Sequence, residues 1–163
     1  MKVLWVLLLS VVASAQPQNE KLSPDQIATI KKEVTAALHT YYSYYNEQNM
    51  DAMAESVYHI PFVGVGANGF RVQSTKEEVT AAHEAHLQNL KDSGWARSEF
   101  PNPTVCVLNA NMASASGQFM RYKKDGSVLS VNANTYFFGK TPEGWKIFSF
   151  TGHALDKVVT CND

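Results

Sequence analysis

The sequence predicts an α+β domain in which three N-terminal helices pack on a mostly antiparallel sheet. Apolar residues recur at helical spacing up to about residue 94, and after Trp95 the pattern changes to alternation of period two. Asp125-Gly126 and Thr141-Pro142-Glu143-Gly144 then divide the last third of the chain into two successive hairpins, because Gly accepts the positive φ and Pro the fixed φ that such turns use. Helices first and an antiparallel meander afterwards is the α+β order.

The first helix starts at Ser23-Pro24-Asp25-Gln26, where Ser23 caps, Pro24 suits the first turn and Gln26 completes a capping box. Ile27, Ile30, Val34, Leu38, Tyr41 and Tyr45 form its apolar stripe, which runs out near Glu47. Asn49 caps a short second helix over 50–57, with Met53 and Val57 inward. Residues 58–65 read as a short extended segment broken by Pro61, and Gly64, Gly66 and Gly69 predict a loop after it. A third helix opens with a capping box from Ser74 to Glu77 and ends near Ser93-Gly94. Its stripe is Val79, Ala82, Leu87 and Leu90, with His86 on the same side. Strands are expected at 96–100, 104–108, 112–123, 127–138 and 145–152.

Residues 1–15 stand apart from this pattern. Met1-Lys2 is a short basic start, residues 3–12 are apolar, and Ala13-Ser14-Ala15 is a small-x-small cleavage signal. This is the signature of a secretory signal peptide, too short for a stable membrane anchor, so an exported protein is expected, periplasmic or secreted. Residues 16–22 are a polar leader, 23–156 the domain and 157–163 a C-terminal tail. Loss of the first 15 of 163 residues leaves 148, one domain's worth, and loss of Lys2 moves the formal charge from −1 to −2. With no basic stripe and no second apolar run of membrane length, neither nucleic acid nor a membrane span is expected. An export route permits a disulfide between the two cysteines, Cys106 and Cys161, that would pin the tail to the sheet.

Three blocks carry a resemblance. Tyr45-Asn46-Glu47-Gln48-Asn49-Met50-Asp51-Ala52-Met53 is a polar break between two helices, and Tyr58-His59-Ile60-Pro61-Phe62 is a first strand. Asn134-Thr135-Tyr136-Phe137-Phe138, followed by Gly144-Trp145-Lys146-Ile147, is a closing hairpin. In order and spacing they resemble the nuclear transport factor 2-like superfamily, which shares its cone-shaped fold with ketosteroid isomerases and SnoaL-like polyketide cyclases. The resemblance implies a cone whose curved sheet has one face on the helices and the other often on a partner subunit. It fixes no function, since the superfamily includes dehydratases, cyclases, epoxide hydrolases and non-catalytic binding or association domains. Ketosteroid isomerases use acids borne on the sheet; here Asp125 lies in a turn and Glu143 in a loop, with no carboxylate inside the two hairpins' strands.

Hairpin register assigns the side chains, because residues directly opposite share a face. With Asp125-Gly126 as a two-residue turn and Thr141 to Gly144 as a four-residue loop, one face gathers Phe119, Arg121, Asn132, Asn134, Tyr136, Phe138, Ile147, Thr151 and His153. The other gathers Met120, Tyr122, Leu129, Val131, Ala133, Phe137, Phe148 and Phe150, and is the expected contact of a homodimer. The mixed face is the pocket candidate: Tyr58, Phe119, Arg121, Asn132, Asn134, Phe138 and His153 would line it. Arg121 suits an anionic group there, Tyr136 a hydrogen bond, and Asn132 and Asn134 a carbonyl.

The leading expectation is therefore an exported domain binding a small, partly apolar ligand in a cone. A second reading is a cofactor-independent isomerase, dehydratase or cyclase, with His59 or His86 as base and Tyr136 or Arg121 stabilising an oxyanion. A third is a homodimeric association domain whose cone is filled by its own side chains. No metal and no cofactor is expected: His83-x-x-His86 offers two ligands without a third, and the glycines at 64, 66 and 69 lack the strand–helix context of a phosphate loop.

Overall fold

The computed structural model describes residues 21–66 and 69–161; the expected signal peptide, most of the polar leader and the last two residues of the tail lie outside them. Helix α1 spans Pro24–Glu47, α2 Met50–Ser56 and α3 Lys76–Asp92. Strands β1 (Tyr58–Gly66) and β2 (Gly69–Gln73) fall between α2 and α3, and β3 (Trp95–Glu99), β4 (Thr104–Asn109), β5 (Met112–Lys123), β6 (Val128–Thr141) and β7 (Gly144–His153) follow. They form one sheet in the order β2-β1-β7-β6-β5-β3, with β4 pairing the other end of β5. Among the described residues only the β1–β7 pairing is parallel. The sheet is open and curves around α1, the α+β cone expected from the sequence.

Helix α1 carries the capping box in full: Ser23 Oγ accepts from Gln26 N, and Gln26 Oε1 accepts from Ser23 N. Ile30, Val34, Leu38, Tyr41, Tyr42 and Tyr45 are its buried face, and they share one core with Phe62, Phe119, Tyr136, Phe138 and Ile147 on the sheet and with Phe100 just after β3. Asn46, at the end of α1, places its side-chain amide against β3, where Oδ1 accepts from Ser98 N (2.8 Å) and Nδ2 donates to Ser98 O (3.0 Å). Gly117 lets the Phe100 ring lie on β5, since a Cβ there would meet Phe100 Cε1 at 2.9 Å.

The structure departs from the sequence reading in four places. Gly64, Gly66 and Gly69 do not end the strand: β1 continues to Gly66 and returns as β2, an edge strand on which glycine and exposed side chains are tolerated. Helix α3 is capped one residue later than expected, by Thr75 accepting from Glu78 N, and its buried stripe is Val79, His83, Leu87 and Leu90. The first hairpin turns over three residues, with Lys123 N donating to Ser127 O and Gly126 at φ 84°. An irregularity between Arg121 and Tyr122 then restores the expected Arg121–Ser130 and Phe119–Asn132 pairs.

The fourth departure matters most. Phe138 pairs with Ile147 as expected, but Phe137 pairs with Ser149, so Phe148 is an extra residue in a β-bulge. Beyond it β7 is shifted by one, and one residue of shift exchanges the faces. Phe150 turns inward, its ring 5.6 Å from Phe62 and 5.9 Å from Tyr136, rather than joining the outer apolar face. Thr151 and His153 take the opposite face from Tyr136; His153 Nε2 lies 3.0 Å from Thr135 Oγ1 and 3.4 Å from Ser116 Oγ.

The tail crosses this outer face. Gln118 Nε2 donates to Leu155 O, Val159 N donates to Ser116 Oγ, and Cys161 forms a disulfide with Cys106. The strap covers the β4–β5 side and leaves Phe137 and Phe148 in mutual contact further along the face (6.2 Å).

Candidate functional site

Between α1, α3 and the inner face of the sheet lies a cavity of about 740 Å³. Its aromatic wall comes from Tyr41, Tyr42 and Tyr45 of α1, Phe62 of β1, Phe119 of β5, Tyr136 of β6 and Phe150 of β7. Arg121, Asn132 and Asn134 line it from the sheet, His83, His86 and Asn89 from α3, and Arg71 from β2. No Asp or Glu among the described residues lines it.

The floor is a connected set of phenols. Tyr42 Oη and Tyr136 Oη share a hydrogen bond of 2.9 Å, and Asn134 Nδ2 donates to Tyr136 Oη at 3.0 Å. Burial raises the pKa of Tyr41, Tyr42, Tyr58 and Tyr136, and neighbouring phenols add to it for Tyr41, Tyr42 and Tyr58. These hydroxyls are therefore neutral donors and acceptors at neutral pH. The buried Tyr58 hydroxyl makes no hydrogen bond of normal geometry to a described residue; the Tyr41 side chain, its ring edge-on, is the phenol beside it that favours its ionised form.

The two α3 histidines differ. His83 is buried, its ring stacked on Tyr58 at 5.0 Å, and its Nδ1 lies 3.4 Å from Tyr45 Oη. Burial first, then His86 and Arg71, push its pKa down to about 4, so it is neutral at pH 7. His86 sits at the cavity edge with Nε2 3.1 Å from Arg121 Nη2. A guanidinium can only donate, so His86 Nε2 is the acceptor and its proton is on Nδ1. Burial, Arg121 and Arg71, in that order, lower the pKa of His86.

The structure brings together Phe119, Arg121, Asn132, Asn134, Tyr136 and His86 around the cavity. Tyr58 and Phe138 are fully buried in the core and do not line it, and His59 is exposed on β1. His153 borders the cavity at the end of β7, but its Nε2 is committed to Thr135 and Ser116 on the outer face. His86 and Tyr136 are not hydrogen-bonded to each other: one partners Arg121, the other Tyr42 and Asn134. Arg71, Phe62, His83, Asn89, Phe150 and the α1 tyrosines are among the lining residues that sequence reasoning did not place. Alternation of Phe70, Arg71 and Val72 was the available sign of a strand there. Among the described residues no group of three or more His, Cys, Asp or Glu side chains is placed to hold a metal ion.

A family model described as NTF2-like protein (DUF6841) matches residues 32–155. A search of curated proteins returned no match. Among solved structures, the chain is similar to an NTF2-like protein with a cystatin-like fold from Novosphingobium aromaticivorans. That match has 18% identity and a TM-score of 0.65, and covers 81% of this chain and 86% of the other. It is also similar to a putative calcium/calmodulin dependent protein kinase II association domain from Xanthomonas campestris, with 21% identity, coverage of 77% and 88%, and a TM-score of 0.56. An NTF2-like superfamily protein from Salmonella enterica aligns at 14% identity over 78% and 92% of the two chains, with a TM-score of 0.58. At these identities the likeness is one of fold.

Proposed function

Because the chain belongs to the NTF2-like protein family (DUF6841), whose fold serves many roles, we propose its function from the cavity: it binds a small, partly apolar molecule inside the cone. The carrying observation is a space of about 740 Å³ lined by an aromatic wall together with the polar side chains of Arg121, Asn132, Asn134 and His86. That combination of size and mixed lining is typical of ligand sites. An association domain with a plugged cone would have Tyr41, Phe119 and Phe138 filling this space, whereas Tyr41 and Phe119 stand at its wall and Phe138 lies behind it.

Native mass spectrometry of the protein isolated from its source tests the reading. A retained non-covalent mass is expected, lost in Ala85→Trp, which places an indole in the cavity from α3. A bare polypeptide that also binds no amphipathic probe would remove the proposal. The same spectrum reads assembly. We propose a homodimer through the part of the outer face that the strap leaves open, around Val131, Phe137 and Phe148; a monomer at micromolar concentration would refute it. Export remains the reading of residues 1–15, and an N-terminus at Gln16 in the isolated protein is the expected outcome.

A further inference from the structure

We propose that the ligand of this cavity is an organic monoanion, a carboxylate on an apolar body, received by Arg121 with Arg71 at the mouth. The inference rests on the ligand-binding reading above and specifies the chemistry of that site. Arg121 projects from β5 into the cavity, its guanidinium 5.2 Å from the Phe119 ring centroid. One nitrogen, Nη2, donates to neutral His86; Nε is buried with no partner, and Nη1 makes no hydrogen bond to any described residue. Neither Arg121 nor Arg71 forms an ion pair with a described carboxylate. A half-buried cation is ordinarily paired, because low dielectric raises the cost of leaving it alone.

The surroundings favour one negative charge rather than several. Arg121 and Arg71 both line the cavity and both lower the pKa of His86, so the two cations act on the same end of it. No Lys among the described residues lines the space; the amides of Gln73, Asn89, Asn132 and Asn134 and the phenols carry no charge, and His83 and His86 are held neutral by burial and the arginines. With Nε shielded, the end-on edge of the planar guanidinium, Nη1 and the second hydrogen of Nη2, matches a carboxylate in two-point contact. Phe62, Phe150 and Tyr41 then offer the apolar body a wall beyond the charge.

The test compares 2-naphthoate, neutral 2-naphthamide and 2-naphthyl phosphate by isothermal titration calorimetry. The proteins are wild type, Arg121→Gln, Arg121→Lys and Ala85→Trp. Wild type is expected to bind the carboxylate at least about tenfold tighter than the amide. Arg121→Gln should bring the two to parity, Arg121→Lys should recover part of the preference, and Ala85→Trp should abolish both. Equal binding of carboxylate and amide to wild type overturns the anion assignment while leaving the cavity as a ligand site. That comparison needs no variant to fold. Tighter binding of the phosphate than of the carboxylate overturns the assignment in favour of a phosphoryl ligand. Binding that Ala85→Trp leaves unchanged, or no binding by any probe, overturns the cavity reading itself.

Discussion

Lowering the pH from neutrality to about 4 is expected to cost the fold about 3 kcal/mol through His83 alone. The residue is buried between Tyr58 and Tyr45, and burial is the main reason its pKa falls from 6.5 to about 4. The folded form therefore binds fewer protons than the unfolded chain between these values. Stability is full above the unfolded pKa of 6.5 and declines as the pH drops through the window toward about 4. At about 1.4 kcal/mol per pKa step, that window converts to about 3 kcal/mol. Urea denaturation of wild type and His83→Phe at a series of pH values across the window isolates the effect. Phenylalanine keeps the stack on Tyr58 but cannot titrate. The variant loses the contact with Tyr45 Oη, an offset that does not depend on pH here because Tyr45 stays protonated throughout. The stability difference between the two proteins should therefore change by about 3 kcal/mol from one end of the series to the other. Parallel curves would show that protonation of His83 does not limit acid stability.

Three further perturbations have expected outcomes. Cys161→Ser opens a loop closed over a sequence separation of 55 and should cost about 4 kcal/mol in the chain-entropy description, read by denaturation with and without reductant; an unchanged midpoint would refute the strap's contribution. Gly117→Ala drives a methyl into the Phe100 ring and should cost about 1–3 kcal/mol, read by chemical denaturation; no loss would mean the ring can move aside without cost. Asn46→Ala removes both bonds to Ser98 and should cost about 1–3 kcal/mol, with faster amide exchange confined to β3.

Register away from the turns was legible in the sequence, at the first hairpin because the irregularity between Arg121 and Tyr122 offsets the extra residue of its three-residue turn. Phe119–Asn132, Ala115–Tyr136 and Phe138–Ile147 all pair as expected. The bulge at Phe148 was not legible. An extra residue within an aromatic run, Ile147-Phe148-Ser149-Phe150, leaves the alternation plausible in either register, and only packing against Phe62 and Tyr136 selects one. The third helix shows the same limit. Spacings of three and four fit both His83 and His86 to the stripe begun by Val79, and the stacking partner Tyr58, supplied by another element, decides for His83. Arg71 was hidden for a different reason. Its strand is bordered by glycines and sits at an edge, where exposure removes the hydrophobic signal that marks interior strands. The polar side of the cavity was legible because Arg121, Asn132, Asn134 and Tyr136 lie on strands whose shared turn sets their common face.

The Asn46 amide gives the two margins of the sheet different characters. At β3 it occupies the outward N–H and C=O of Ser98 in the manner of a neighbouring strand, so an incoming chain would have to displace it before adding to that side. At β2 no comparable plug is present among the described residues, and Phe70 and Val72 are 81% and 58% exposed. Strand addition, whether as self-association or as misassembly at high concentration, is therefore directed to β2, and a charge placed at Val72 would be the economical way to guard it.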